Sequence, residues 1–383
     1  MPPEKAASAP IRICNSLASP TYFAQYLGYR FHTPLHPQSF AIAVVFFSLL
    51  CLLCVAVLNW LVNPYRQYSS HLFAPLIRDS RSEKVALFEL QRSAAEGLIL
   101  GSSRTMKFEP SYLQARTKLR FFNFGVNHGR PEDFLAIVQL YKNSTGHFPK
   151  SVLIGVDVAS LNDVVPSDAR LIAEPKLYSC IRNKIPWTEE FDRLSQLLSY
   201  QQFVSSLKSL RNHLMVNTSE VVNTPFEVYD PDGVIQYLQR QAERLEGKYD
   251  FEKALQHDQK ELMSVFGNMT RLSQRRLGYL QEVVSQCEQQ GCQVTLFLTV
   301  HHPTLRKTLS RKTELEQFEL DAKIALQKIA DECQSRFVDL STLDTFGGDP
   351  SEFVDGIHPL EPNTRLMIDR LFPKSPEAQY AIQ

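Results

Sequence analysis

From Phe40 to Val62 the chain reads FAIAVVFFSLLCLLCVAVLNWLV, a run without a charged residue in which Ser48 and Asn59 are the clearly polar members. A soluble helix of this length keeps a polar stripe toward water, and this one has none. At about 1.5 Å per residue the run crosses a bilayer core of about 30 Å with some tilt, which puts Trp60 at the interface. A cleaved signal peptide has a shorter apolar core, closer to the chain start and followed by a small-residue cleavage site. The run, residues 40–62, therefore reads as one uncleaved transmembrane helix, preceded at residues 1–39 by a flexible tail. Lys5, Arg12 and Arg30 lie before it and Arg66, Arg78, Arg81 and Lys84 after it, so the positive-inside rule does not choose an orientation. The expectation is a single-pass membrane protein with the lipid bilayer as one partner.

The 41 basic side chains balance the 41 acidic ones, which leaves no field to steer the chain toward nucleic acid. Short apolar runs at residues 97–101, 119–125, 152–158, 293–300 and 336–340 read as buried strands, and helical spacing recurs at residues 131–142, 271–290 and 315–333. Strands alternating with helices predict an α/β domain around a doubly wound, flavodoxin-like parallel sheet of five strands. It is expected over residues 95–373, entered through a linker and lead-in at 63–94 and followed by a tail at 374–383. Between about 163 and 269 the rhythm breaks, which predicts a helical insertion over the C-terminal edge of the sheet, where open α/β sheets bind ligands. Cys51 and Cys54 have C-x-x-C spacing inside the apolar run, where they read as packing residues. Cys180, Cys287, Cys292 and Cys333 fit either one or two disulfides in an oxidising compartment or free buried thiols.

Chemistry concentrates at four places. Leu100 to Arg104 reads LGSSR directly after the first strand. A serine at such a turn presents its hydroxyl beside the free N–H groups of a helix start, although Ser102 or Ser103 can equally be a helix cap. Val354 to Pro359 reads VDGIHP. An Asp three residues before a His in a tight loop can hold the imidazole in the tautomer that takes a serine proton, although the same residues also suit a plain surface turn. Arg104 either pairs with Asp157 or holds an anionic substrate group. His301 and His302 follow the fourth strand, where an imidazole can line a pocket. No zinc-type ligand spacing or nucleotide-binding glycine loop is evident, so neither metal nor cofactor is expected.

Taken in order, these blocks resemble the SGNH, or GDSL-like, esterase and acyltransferase superfamily over residues 95–160 and 270–373. Gly101, Ser102 and Ser103 stand where that family has Gly-Asp-Ser, which implies Ser103 as nucleophile. Gly125 in FNFGVN matches the glycine whose N–H helps form the oxyanion hole, and Asp355 and His358 match the final Asp-x-x-His. The GSSR form is similar to that of membrane-anchored relatives that modify cell-envelope polymers, such as the D-alanyl-teichoic-acid and alginate-acetylation proteins. The third block departs from Gly-x-Asn-Asp: here it is Gly155, Val156, Asp157 and Val158. An ionised Asp cannot donate to an oxyanion, so the third donor is absent or is supplied by Asn127 or Asn123. The resemblance implies a membrane-anchored serine esterase or O-acyltransferase with an extracytoplasmic domain, acting on acetyl-type groups of an envelope polysaccharide or related polymer, alone or with other envelope-assembly proteins. The altered blocks keep a second reading open, a non-catalytic SGNH-fold binding or scaffolding subunit.

Overall fold

The computed structural model describes residues 37–70, 72–73, 76, 80–215 and 227–373. The tails expected at 1–39 and 374–383 fall outside these residues, apart from the three that open the first helix. That helix, α1, runs Pro37–Val62. Proline is tolerated there because the first N–H groups of a helix have no intrahelical partner. Among the described residues it is the one helix long and apolar enough to cross a membrane. The chain divides into two units, Met1–Val55 and Ala56–Gln383, and the second holds the sheet.

In chain order this second unit has α2 (Ser80–Gln91), β1 (Gly97–Leu100), α3 (Pro110–Thr117), β2 (Phe121–Asn123), α4 (Pro131–Thr145) and β3 (Ser151–Val156). An insertion comes next: α5 (Ala169–Ala173), α6 (Pro175–Ile181), α7 (Trp187–Ser195), α8 (Tyr200–Met215), a hairpin of β4 (Val228–Tyr229) and β5 (Ile235–Gln236), α9 (Leu238–Leu245) and α10 (Phe251–Asn268). The chain returns through α11 (Gln274–Glu288), β6 (Gln293–Leu298), α12 (Pro303–Lys312), α13 (Leu315–Glu332), β7 (Arg336–Val338) and α14 (Glu361–Leu371). Five strands form one sheet in the order β2-β1-β3-β6-β7, every pairing parallel.

The strands are apolar runs because both faces of the sheet are covered. Leu98, Leu100, Val152, Ile154, Leu296 and Leu298 share one core with Ile137 of α4, Val283 of α11 and Leu326 of α13. The alternate positions Ile99, Leu153 and Phe297 share another with Leu113 of α3 and Met367 and Leu371 of α14. Each such side chain, fully buried, contributes roughly 1.5–3 kcal/mol.

Two stretches hold more than the sequence suggests. The stretch 63–94, expected as linker and lead-in, contains α2, whose Val85 and Phe88 belong to the first core. Its inward face also carries Arg81 and Lys84, both 0% exposed. Arg81 grips the two oxygens of Asp133 at 2.7 and 3.0 Å, and Lys84 donates to the carbonyl of Asn123 at 2.8 Å and to that of Gly233. Charged residues on a buried face defeat an apolar-periodicity reading. The insertion, expected to be helical, also holds the hairpin, whose two-residue strands are too short to show alternation. Its root is fastened by Arg276, which pairs with Glu132 at 3.1 Å and donates to the carbonyls of Asn162 and Val165. Cys180, Cys287, Cys292 and Cys333 are free thiols.

Candidate active site

The chain leaves β1 through Gly101, whose φ of +152° and whose close approach to Thr105 both exclude a side chain; a Cβ there would lie 2.4 Å from Thr105 Cγ2. Ser102 Oγ accepts the Arg104 N–H at 3.2 Å and caps the short turn Ser103–Thr105. Thr105 donates to the Ser102 carbonyl at 2.9 Å. It fills the space that Gly101, Gly125 and Gly155 leave at the ends of three neighbouring strands, since a Cβ on either of the latter two would also come within 2.7 Å of it. Of the two serines, Ser102 is thus the cap and Ser103 is held at the mouth of the sheet.

The other half of the site is the loop before α14. Asp355 Oδ1 accepts the N–H groups of Ile357 (3.0 Å) and His358 (2.9 Å), which closes the loop on its own carboxylate. His358 Nδ1 lies 2.7 Å from Asp355 Oδ2, and its Nε2 lies 2.8 Å from Ser103 Oγ. With the carboxylate accepting a hydrogen bond from Nδ1–H, Nε2 is the acceptor facing the serine hydroxyl; this tautomer follows from the bonding pattern. Asp355 is 3% exposed. Burial pushes its carboxyl up, but His358, the Ile357 amide and Arg240 outweigh burial and hold it well below the usual carboxylate range.

Three residues of this site carry no sequence signal, because the insertion brings them from far along the chain or packs them beneath the loop. Arg240 of α9 donates to Asp355 Oδ2 at 2.9 Å. Tyr237 lines the cleft with its ring 6.1 Å from that of His358, and its buried hydroxyl has no partner among the described residues. Asp258 of α10 accepts the Gly356 N–H at 2.8 Å.

Arg104 donates to Thr299 Oγ1 at 3.1 Å and to His301 Nε2 at 3.0 Å, and its Nε lies 3.7 Å from Asp157 Oδ2. Of its two readings the structure has the ion pair, with the guanidinium engaged on three sides. Asp157 also accepts from Thr299 at 2.6 Å, so its carboxylate is an acceptor throughout. His301 is buried behind Arg104, and burial, with that cation beside it, pushes its pKa well down. His302 accepts the Thr304 N–H at 3.2 Å, donates its own N–H to the Gly356 carbonyl and packs edge-on against Phe251 and Phe353. It braces the Asp355–His358 loop through Gly356. Gly125, expected to offer its N–H to an oxyanion, donates instead to Asn123 Oδ1 at 2.9 Å, and Asn123 spends its amide on the carbonyls of Thr105 and Phe108. This turn consumes both donors internally. Of the donors expected for an oxyanion, Asn127 lines the cleft wall, and beside it the Ser103 N–H has no hydrogen bond among the described residues.

The cleft has a volume of about 910 Å³ and is walled by loops following β1, β2 and β3 together with α9 and α10. Charges of both signs line it, among them Arg130, Arg170, Lys260 and Glu261. Among the described residues no group of three His, Cys, Asp or Glu is placed to hold a metal ion.

Asp258 gives this site a pH signature. Burial first, then the nearby Asp355 charge, push its carboxyl up to about 6. An acid whose pKa is higher folded than unfolded costs stability once both states ionise, so the fold weakens as pH rises from about 4 to about 6. Asp258→Asn keeps an acceptor for Gly356 and removes that cost. The variant is expected to be about 1–2 kcal/mol more stable than wild type at pH 8, after allowance for solvent screening, and no more stable at pH 3.5. Urea midpoints at the two pH values measure this, and an equal gain at both would refute it.

Neither a protein-family model nor a curated protein sequence matches this chain.

Proposed function

We propose that the chain is a membrane-anchored serine esterase or O-acyltransferase of the SGNH type, acting on acetyl-type groups of a cell-envelope polysaccharide or related polymer from an extracytoplasmic face. The observation that carries the reading is the unbroken relay from Ser103 Oγ to His358 Nε2 at 2.8 Å and from His358 Nδ1 to Asp355 Oδ2 at 2.7 Å. The strand order, which places the serine at the end of a central strand of the kind used by doubly wound sheets, supports the same reading.

Ser103 Oγ attacks the acyl carbonyl while His358 Nε2 takes its proton, and Asp355 steadies the imidazolium. The Ser103 N–H and Asn127 stabilise the oxyanion. His358 then protonates the departing oxygen, leaving an acyl-serine. Water, or a sugar hydroxyl deprotonated by His358, attacks that ester and releases the enzyme. A wide cleft rich in polar side chains suits a hydroxyl-bearing acceptor; the polymer itself comes from the family resemblance.

The second reading, a non-catalytic SGNH-fold binding subunit, draws on Asp157 at the third block and on the engaged Gly125 amide. A fluorophosphonate probe on the full-length protein in detergent separates the two. Labelling of wild type and Ser102→Ala, with none in Ser103→Ala or His358→Ala, is the expected result. A folded wild type that takes no label favours the binding subunit.

A further inference from the structure

The insertion helices α7 and α8 carry an exposed apolar stripe, flanked by exposed polar residues such as Asp192, Lys208 and Arg211. On α8, Gln202, Ser206 and Ser209 are buried, whereas Tyr200, Val204, Leu207 and Leu214 are exposed. On α7 and the turn after it no residue is buried, and Trp187, Phe191, Leu194 and Leu198 are exposed at three- and four-residue spacing. A helix docked on a soluble body keeps its apolar stripe inward, the reverse of what is seen on α8. Trp187 at 75% and Tyr200 at 81% exposure mark this as a patch that water alone does not explain.

The neighbourhood of the patch identifies its occupant. The last turns of α1, from Ala56 on, belong to the same unit as the insertion. Asn59, fully buried, donates to the Leu197 carbonyl at 2.8 Å and accepts from Ser206 Oγ at 2.8 Å. Tyr65 bonds Ser205 at 2.5 Å, Tyr68 donates to the Arg193 carbonyl at 2.9 Å, and Arg193 donates to that of Gln67 at 2.9 Å. The patch therefore begins where the apolar helix ends. Its flanking aromatics, Trp60, Trp187 and Tyr200, are of the kinds that favour a headgroup layer.

We infer that the exposed face of α7 and α8 lies in the interfacial layer of the bilayer that α1 crosses, so that the domain is held to the membrane at two places. The inference rests on α1 as a span and is independent of the chemistry at Ser103. A face of this kind sinks about 5–10 Å into the headgroup and acyl boundary.

The sequence has two tryptophans, Trp60 and Trp187, so Trp60→Phe makes Trp187 the sole indole. The full-length variant is reconstituted into phosphatidylcholine vesicles, with resistance to carbonate extraction confirming the span. The expected result is blue-shifted emission, loss of about half of it to lipid brominated near the head of its acyl chains, and shielding from iodide. Moving the indole in the double-Phe background, Tyr200→Trp, should give the same pattern and guards against a local fault at position 187. Emission quenched by iodide and untouched by bromolipid in a carbonate-resistant protein overturns the inference while leaving the span intact. Shielding from both quenchers also overturns it, because the face is then covered by protein.

Discussion

On the proposed function, replacing Ser103 with Ala is expected to lower the hydrolysis of a chromogenic acetyl ester by about 10⁴- to 10⁶-fold, and adding His358→Ala to lower it no further. The geometry dictates this non-additivity. His358 Nε2 faces Ser103 Oγ, so the task proposed for the imidazole is moving the serine proton. Without the hydroxyl that task disappears. Asp355→Asn belongs to the same set with a loss of about 10⁴-fold, because an amide that donates to Nδ1 turns the imidazole to the wrong tautomer. Ser102→Ala should retain most of the rate, since Ser102 Oγ only caps the turn at 3.2 Å. Rates of the two single variants and the double variant, measured on protein with unchanged circular dichroism, decide the matter. Losses that multiply would mean that Ser103 and His358 act separately.

Replacing Arg276 with Met destabilises the protein by about 3–5 kcal/mol. Arg276 and Glu132 are 0% and 1% exposed, so removing the cation strands a carboxylate in the interior. The same guanidinium satisfies the carbonyls of Asn162 and Val165, where the chain leaves the sheet for the insertion. Adding Glu132→Leu removes the stranded charge and is expected to recover part of the loss. Urea unfolding of full-length protein in mild detergent measures both steps; a single-variant loss below about 1 kcal/mol would show that the pair is not carrying its own desolvation.

The five strands were legible because a parallel sheet covered on both faces needs continuous apolar runs, and GLIL, SVLIGV and QVTLFL can be little else. α2 was not legible because its inward face holds Arg81 and Lys84, whose partners sit on other elements. At the site, Ser103, Asp355 and His358 stood out because motif spacing is local chemistry. Arg240, Tyr237 and Asp258 did not, since only the folded insertion brings them to that loop. Gly125 shows the converse: its place in the block pattern is plain from the sequence, but the direction of its N–H is set by the Asn123 side chain two residues earlier.

Ser103 and His358 are 255 positions apart. During synthesis the apolar helix and the Ser103 turn emerge long before that imidazole exists, so on the proposed function the nascent chain carries both while chemically inert. A chain interrupted anywhere between the two halves keeps the apolar helix and Ser103 but lacks His358. On the proposed function, activity is thus conditional on nearly complete synthesis and folding.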